Sequence, residues 1–449
     1  MSMAWTDISK ELNVEWRQCF FEGKQVEELE AACEYISKKA SEVGDARYLN
    51  LAKEMCKLLA DAPVKDSFTY MEPSDLDGIK AQRPVPSMKL PAVDKANLRD
   101  RVAGAWIGRI AGCLLGKPVE GFRTPVLYRL LKDTDNYPMH KYICKADFSS
   151  ELIQFLEDNH LSPNRCWADT IGGISPVDDD TNYTTFGLKL VDTYGKNFTP
   201  QNVMEGWTRW IPVAAVCTAE RVAYMNAVNR LNPPETATFE NPYREYIGAQ
   251  IRADFFGYVN PGDPEKAAEM GFRDASISHI KNGIYGEMWV AAMLAAAAVC
   301  DDVETVIRAG LEQIPANSRI TEDIELVLKW YHEGVSAMDA IAKIQERYNE
   351  FLAFDWCYVN SNAMIVTLGL LYGEKDIGKS MCLAVQPGFD TDCNGATVGS
   401  IVGMMVGEKA IPDYWVAPFQ RKLMTSIDGY PVVDVDVMTD KTMELIEKE

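Results

Sequence analysis

Two short acidic segments of the chain group carboxylates closely enough to act together on a cation. Asp178, Asp179 and Asp180 are consecutive. Asp390 and Asp392 are separated by one residue, and both segments directly precede apolar stretches with helical periodicity. A single aspartate at a helix start caps free N–H groups and suits the helix dipole. Three adjacent carboxylates repel one another, so they indicate a counter-charge, and a hard divalent cation with oxygen ligands is the natural one.

Glycines recur every fourth residue in two helical segments, at 104, 108, 112 and 116 and again at 395, 399, 403 and 407. Residues four apart lie on one face of a helix. Each helix-interior glycine costs about 1 kcal/mol relative to alanine, so a compensating interaction is required. We predict that another backbone approaches each glycine face closely, which would hold the helix ends and their acids together.

Helical periodicity dominates the chain around these groups, and strand-like alternation is scarce. We therefore predict an all-α fold: a compact multi-helix domain with an additional N-terminal helical unit. Residues 7–62 indicate two or three amphipathic helices, whereas 62–95 hold five prolines and indicate an extended connector. We place the N-terminal unit and connector at 1–95 and the main domain at 96–449. The proline- and asparagine-rich stretch 229–265 is predicted to form loops.

Composition limits the partners. The formal net charge of -21 disfavours nucleic acid, whose phosphates the surface would repel. No uncharged apolar run reaches the roughly 18–20 residues that span a bilayer, so no membrane is expected. The N-terminus has no signal-peptide pattern, and the 11 scattered cysteines form no C-x-x-C pair, so we expect a reducing cytoplasm. The sequence does not indicate the oligomeric state.

Four segments, in order, resemble those of the ADP-ribosylglycohydrolase family, which includes the dinitrogenase-reductase-activating glycohydrolase and the ADP-ribosyl-acceptor hydrolases. They are GAWIGRIAGCLLGKPVEGF (104–122), VDDDTNYTTFGL (177–188), SISHIKNGIYG (276–286) and GFDTDCNGATVGSIVG (388–403). The similarity runs from about Leu98 to about Gly407. It implies an all-α domain with two Mg²⁺ ions in a cleft, which bind the ribose hydroxyls of an ADP-ribosyl group while the bond at the anomeric carbon is hydrolysed.

The resemblance also implies roles for individual residues. Asp179 and Asp180 match the paired acids of the second segment, and Asp390 and Asp392 match those of the last. Glu120 matches the glutamate of the catalytic centre, where a carboxylate can activate water or stabilise an oxocarbenium-like ribosyl group. We therefore expect Glu120, Asp179 and Asp390 to be catalytic, and Asp178, Asp179, Asp180, Asp390 and Asp392 to bind metal.

Four further residues are expected to bind substrate. His279 matches the family histidine that lines the substrate cleft. Asn282 and Tyr285 share its polar, glycine-containing loop, which precedes a segment that is apolar on every side. Asp254 is a charged residue among aromatic residues before a proline-glycine turn.

Three positions depart from the family pattern. Asp178 stands where serine or threonine is usual, Cys393 replaces a hydroxyl, and Cys113 replaces a frequent aspartate. A thiol is a poor ligand for Mg²⁺, whereas Asp178 adds a carboxylate. The altered cluster could favour Mn²⁺ or Ca²⁺, or a single tightly held ion, and the chain resembles a divergent branch.

The leading hypothesis is a metal-dependent hydrolase that cleaves a ribosyl N- or O-glycosidic bond. Its substrate would be a small molecule or a protein-linked ribosyl group, with a small ribosylated metabolite suggested by the divergence. The alternative is a non-catalytic relative that binds a nucleotide or serves structurally. A metal-dependent phosphohydrolase ranks third, because the chain has no adjacent His-Asp pair.

Overall fold

Helices make up most of the computed structural model, which describes residues 5–43 and 46–448. Their bounds in these residues are α1 (Leu12–Phe21), α2 (Glu30–Val43), α3 (Ala46–Asp61), α4 (Leu76–Gln82), α5 (Lys95–Gly116), α6 (Thr124–Asp133), α7 (Ser150–Asp158), α8 (Asp179–Tyr194), α9 (Pro200–Trp210), α10 (Thr218–Val228), α11 (Glu235–Thr238), α12 (Asp254–Tyr258), α13 (Pro264–Ala275), α14 (Lys281–Ala297), α15 (Val303–Leu311), α16 (Arg319–His332), α17 (Ala337–Arg347), α18 (Ala353–Cys357), α19 (Val359–Tyr372), α20 (Ile377–Val385), α21 (Thr391–Val406), α22 (Asp413–Val416) and α23 (Val435–Glu447).

Strand structure is limited to one small hairpin within the described ranges. Strand β1 (Lys422–Met424) pairs antiparallel with β2 (Val432–Asp434). Short 3₁₀ turns complete the regular structure, at Glu27–Leu29, Lys117–Val119, Lys145–Asp147, Val213–Ala215, Gln250–Arg252 and Glu408–Ala410. The predicted all-α class is confirmed.

The two glycine-rich helices, α5 and α21, pack directly on each other. A Cβ atom added at Gly108 or Gly112 would lie far under 3.0 Å from a carbonyl oxygen of α21, a separation that real Cβ atoms essentially never show. The same holds in reverse for Gly399 and Gly403 against α5. The predicted backbone-to-backbone approach is therefore confirmed. It explains why these helices contain glycines despite their cost in helix stability. At the end of the contact, Gly116 lies against the carbonyl group of Thr391.

Helices α8 and α21 each begin directly at an acidic segment. The Asp178 side chain caps α8 by accepting a hydrogen bond from the backbone N–H of Asp180, at 2.9 Å. Asp390 occupies the corresponding position before α21 without a capping bond from its side chain. Glycines with positive φ end both helices, at Gly195 (73°) and Gly407 (78°).

The N-terminal segment forms three helices, in agreement with the predicted two or three, and their apolar faces form a separate hydrophobic cluster. The connector differs from its prediction, because residues 76–82 form α4, whose N-terminus Asp75 caps. The stretch 229–265 likewise contains the short helices α11 and α12 and the start of α13 in addition to loops. Such short helices have too few turns to show an apolar period in the sequence. The division into 1–95 and 96–449 stays a prediction.

The main core surrounds α14, α19 and α21, which are buried almost throughout. These segments are apolar on every side because neighbouring helices cover them on every side. In the described part of the chain, none of the helices combines the length and the apolar character needed to cross a membrane.

Candidate metal centre

The two acidic segments converge on one cavity of about 430 Å³. Packing of α5 on α21 brings the C-terminal end of α5 beside the N-terminal end of α21, and α8 begins at the same place. Six carboxylates, which we call the acidic cluster, meet there: Glu120, Asp178, Asp179, Asp180, Asp390 and Asp392. All except Asp180 line the cavity, and Asp180 lies fully buried behind it.

Ligand-type atoms of the acidic cluster form three groups, and within each group the atoms lie within 4.8 Å of one another. One group contains only carboxylates and is made by Glu120, Asp390 and Asp392. The other two each contain a thiol, and they are Cys113 with Asp178 and Asp180, and Asp180 with Asp392 and Cys393. The structure therefore brings together residues that are more than 200 positions apart in the chain.

Repulsion and burial raise the pKa of several carboxyl groups in the acidic cluster. Burial is the larger cause for Asp179, with a pKa raised to about 8, and for Asp392, with a pKa raised to about 6. For Glu120, which lies at the exposed rim, the Asp392 charge is the larger cause and raises the pKa to about 9. Burial also raises the pKa of Asp180 and Asp390 well above the ordinary value. The protein's own cations leave this group undercompensated.

Only Asp178 is fully matched by a cation of its own. Lys117 Nζ lies 2.5 Å from Asp178 Oδ2, and the lysine is partly buried. Burial opposes ionisation of Asp178, but the ammonium group outweighs it, so the pKa of Asp178 lies below its ordinary value. The extra carboxylate at this position therefore comes with its own counter-charge.

Asp254 belongs to a buried ion pair behind the cavity. Arg109 Nη1 lies 3.3 Å from Asp254 Oδ2, and Arg109 Nη2 donates to Asp180 Oδ1 at 2.9 Å. All three side chains are fully buried. One guanidinium group is thus shared between two carboxylates, so Asp254 acts on the acidic cluster through Arg109. Asp254 itself does not line the cavity.

The all-carboxylate group fits a hard divalent cation better than do the two groups that contain a thiol. Asp392 Oδ1 and Asp180 Oδ2 are buried oxygens without a hydrogen-bond partner among the described residues, as expected of atoms that await a cation. The all-carboxylate group offers the oxygen ligands that Mg²⁺ prefers. The other two groups each include a thiol, Cys113 or Cys393, which is a poor ligand for Mg²⁺, so the carboxylates are the better ligands there.

His279, Asn282 and Tyr285 lie apart from the acidic cluster and do not line the cavity. His279 is buried, with Nδ1 2.8 Å from Ser278 Oγ, and burial lowers its pKa well below the ordinary value. The connector covers the other two, because the Tyr285 hydroxyl donates to the carbonyl oxygen of Pro73.

Asn282 takes part in a second carboxylate group, which we call the sealed cluster: Glu72, Glu245, Asn282 and Arg319. Arg319 Nη2 lies 2.6 Å from Glu72 and 2.9 Å from Glu245. The Asn282 amide donates to both carboxylates, at 2.9 and 2.7 Å. Glu72 belongs to the connector. The sequence around Asn282 alone therefore could not indicate that the connector covers Asn282.

Sequence reasoning missed several residues that line the cavity or lie behind it. Arg109 is the one charge among the 15 residues 102–116, and a lone charge inside an apolar helix was a signal that it pairs with a buried acid. Lys117 stands within the KPVEG segment but gives no signal of its own. Tyr243 and Trp356 also line the cavity, and their stretches carry no motif.

The ADP-ribosylglycohydrolase family model matches residues 94–447. The chain belongs to this family. A solved structure of an ADP-ribosylglycohydrolase-related protein complex is similar over 78% of this chain and 98% of that chain, at 18% identity and a TM-score of 0.43. A comparison with curated proteins finds no match.

Members of the ADP-ribosylglycohydrolase family are typically metal-dependent hydrolases of ribosylated substrates. The matched range includes every residue of the acidic cluster and begins beside the boundary predicted at residue 95. The three N-terminal helices and most of the connector, including Glu72 and Pro73, lie outside the matched range.

Proposed function

We propose that this protein is a divalent-cation-dependent hydrolase that cleaves a ribosyl N- or O-glycosidic bond in an ADP-ribosylated or related ribosylated substrate. One observation supports this most directly: both acidic segments and Glu120 face one cavity, with buried carboxylate oxygens that lack partners. Crowding of this kind is unfavourable without a cation.

Asp390 and Asp392 are the residues that we propose hold one cation beside Glu120, with Asp178, Asp179 and Asp180 completing a second position for the two Mg²⁺ ions expected. Mn²⁺ and Ca²⁺ remain alternatives to Mg²⁺. The bound cation would orient the ribose diol and polarise a water molecule. Two ion pairs fix the orientation of the proposed ligands: Lys117 pairs with Asp178, and Arg109 pairs with Asp180.

Glu120 is the residue that we propose moves a proton, together with Asp179 and Asp390 as supporting carboxylates. Its pKa of about 9 is set mainly by the Asp392 charge. A cation that neutralises Asp392 removes that repulsion, so Glu120 would lose its proton and could accept one from the attacking water. Its place at the exposed rim of the cavity leaves room for substrate.

The alternative function is a non-catalytic relative that binds a nucleotide. It predicts ligand binding without turnover, whereas Glu120 at the rim favours turnover. A metal-dependent phosphohydrolase is less well supported, because no histidine is found among the described residues that line the cavity. The free state of all 11 cysteines is compatible with the proposed reducing cytoplasm.

Calorimetric titration with Mg²⁺ and Mn²⁺, combined with a hydrolysis assay on ADP-ribosylated and simpler ribosylated compounds, tests the proposal. We expect Asp392→Asn to weaken cation binding and to lower hydrolysis by about 100-fold or more, because Asp392 belongs to two ligand groups. Asp413→Asn is the matched control, since Asp413 is exposed and does not line the cavity. Equal cation binding by both variants, or turnover that persists in a chelator, would refute the metal-dependent reaction.

A further inference from the structure

Cys393 combines two properties that no other cysteine among the described residues combines. It lines the cavity, and its sulfur belongs to one of the three groups of ligand-type atoms. Cys217 and Cys357 line the cavity but belong to none of these groups, whereas Cys113 belongs to a group but does not line the cavity. An ion that enters the cavity can therefore reach the sulfur of Cys393 and find other ligands beside it.

Two carboxylates next to this sulfur each keep an oxygen without a partner. The Cys393 sulfur and one carboxylate oxygen each of Asp180 and Asp392 lie within 4.8 Å of one another. Asp180 is 0% exposed and Asp392 is 3% exposed, and among the described residues Asp180 Oδ2 and Asp392 Oδ1 have no hydrogen-bond partner. Both side chains also adjoin another acid, Asp178 or Asp390, and two carboxyl groups can pair only by sharing a proton. A cation at this position replaces such a proton.

The group that contains Cys113 is already filled by the protein itself. Asp178 Oδ2 lies 2.5 Å from Lys117 Nζ, and Asp178 Oδ1 accepts a hydrogen bond from the backbone N–H of Asp180 at 2.9 Å. Both oxygens of Asp178 are therefore in use, and an ion there would have to displace the lysine. The position beside Cys393 stays open, because Arg109 donates to Asp180 Oδ1 and leaves Oδ2 free.

One sulfur and two carboxylate oxygens form a ligand set for a borderline or soft divalent cation. Zn²⁺ takes four ligands at about 2.0–2.3 Å from the ion, which places neighbouring ligand atoms about 3.5 Å apart. The three protein atoms already lie within 4.8 Å of one another, and the cavity leaves room for an oxygen of water or substrate as the fourth ligand. Mg²⁺, by contrast, requires nearly ideal octahedral geometry and oxygen ligands. The substitution of a thiol for a hydroxyl at residue 393 therefore changes which element fits.

We propose that Asp180, Asp392 and Cys393 bind a thiophilic divalent cation of the Zn²⁺ type through the sulfur, whereas Asp390 and Asp392 beside Glu120 bind a hard cation such as Mg²⁺ or Mn²⁺. This inference rests on the proposed cation dependence, and it replaces one of the two Mg²⁺ ions by a different element. On binding, the S–H bond of Cys393 breaks, its proton passes to solvent, and the sulfur lone pair bonds to the metal, with no change of oxidation state. Asp392 belongs to both groups and is a ligand shared between them.

Absorption spectroscopy with Co²⁺ tests the inference, because a thiolate bound to Co²⁺ gives a sulfur-to-metal charge-transfer band in the near ultraviolet that oxygen ligands do not give. The full-length protein is freed of metal with a chelator, supplied with excess Mg²⁺ and titrated with Co²⁺. We expect the band to saturate at about one Co²⁺ per chain and to disappear when Zn²⁺ is added. Absence of the band would overturn the inference, and hydrolysis sustained by Mg²⁺ alone would then leave the proposed function standing. A band without hydrolysis of any ribosylated compound would uphold the thiol site and overturn the hydrolase.

Cys393→Ser sharpens the test, and Cys217→Ser is its matched control, since Cys217 lines the same cavity but belongs to none of the ligand groups. We expect Cys393→Ser to abolish the band and to weaken Zn²⁺ binding by about 100-fold or more, while Mg²⁺ affinity stays within a few-fold of wild type. The control should keep the band and both affinities. Thermal unfolding checks that each variant is folded, and the wild-type spectrum decides the question if Cys393→Ser is not. A band that survives in Cys393→Ser, or that disappears only in Cys113→Ser, would overturn the inference.

Discussion

The acidic cluster and the sealed cluster both bury carboxylates, but they differ in how the charge is compensated. In the sealed cluster, burial alone would raise the pKa of Glu72, yet contact with Arg319 lowers it below its ordinary value. Each carboxylate there also accepts hydrogen bonds from Asn282. In the acidic cluster, by contrast, Asp180 and Asp392 each keep an oxygen without a partner.

This difference separates a structural group from a ligand site. A buried carboxylate whose two oxygens both have hydrogen-bond partners is complete and stabilises only the geometry around it, whereas carboxylate oxygens left without partners require a further positive charge. The sealed cluster joins the connector to the main domain, and the acidic cluster is left open to the cavity. Substitutions that act on one cluster and spare the other can test the contrast.

Arg319→Met should give the largest loss of stability. It would leave Glu72 and Glu245 buried without a counter-charge, which lowers the free energy of unfolding by about 3–5 kcal/mol. Guanidinium denaturation measures this loss, and calorimetry of the same variant should show Mn²⁺ affinity within a few-fold of wild type. A large drop in Mn²⁺ affinity with little loss of stability would mean that the two clusters have been assigned the wrong way round.

Gly112→Ala should have a smaller effect on stability but should also reach the acidic cluster. The added methyl group would clash with the carbonyl group of Gly395, and overpacking of this kind costs about 1–3 kcal/mol. Because the clash pushes α5 from α21, Mn²⁺ binding should weaken as well. Gly271→Ala is the control, since its nearest neighbour would be a side-chain carbon of Glu287 at 3.3 Å. Equal effects in the two variants would argue against the glycine contact as the element that positions the cluster.

The response of thermal stability to pH should give the smallest effect. The raised pKa values, about 6 for Asp392, 8 for Asp179 and 9 for Glu120, mean that the folded, cation-free protein holds protons that the unfolded chain releases near pH 4. Its stability should therefore fall as the pH rises from about 4 to 9. Saturating Mg²⁺ removes the repulsion, so the gain in Tm should be larger at pH 8.5 than at pH 5.5, by a few degrees.

Asp392→Asn provides the check on this pH dependence, because it removes one charge from the acidic cluster. The gain from Mg²⁺ in this variant should be small at both pH values. A gain in wild type that is greater at pH 5.5 than at pH 8.5 would contradict the assignment of the raised pKa values to the cation site.

Local patterns predicted much of this molecule from its sequence. The helical class, the glycine contact and the positions of the acids at the starts of α8 and α21 all follow from periodicity and spacing within one segment. The sequence did not predict that the connector covers Asn282, because this contact depends on Glu72, which is more than 200 residues away in the chain. The pairing of Lys117 with Asp178 was also hidden, since a side-chain partner is chosen by tertiary packing and leaves no period in the sequence.

The glycine contact between α5 and α21 has a consequence for how a cation would be received. Because main-chain atoms touch with no side chains between them, the spacing of the two helix ends is fixed by atomic radii rather than by rotamers. With this fixed spacing, a cation could bind without moving the two helix ends, so the protein would lose little conformational entropy on binding. Empty and loaded forms should then superimpose at residues 116 and 391.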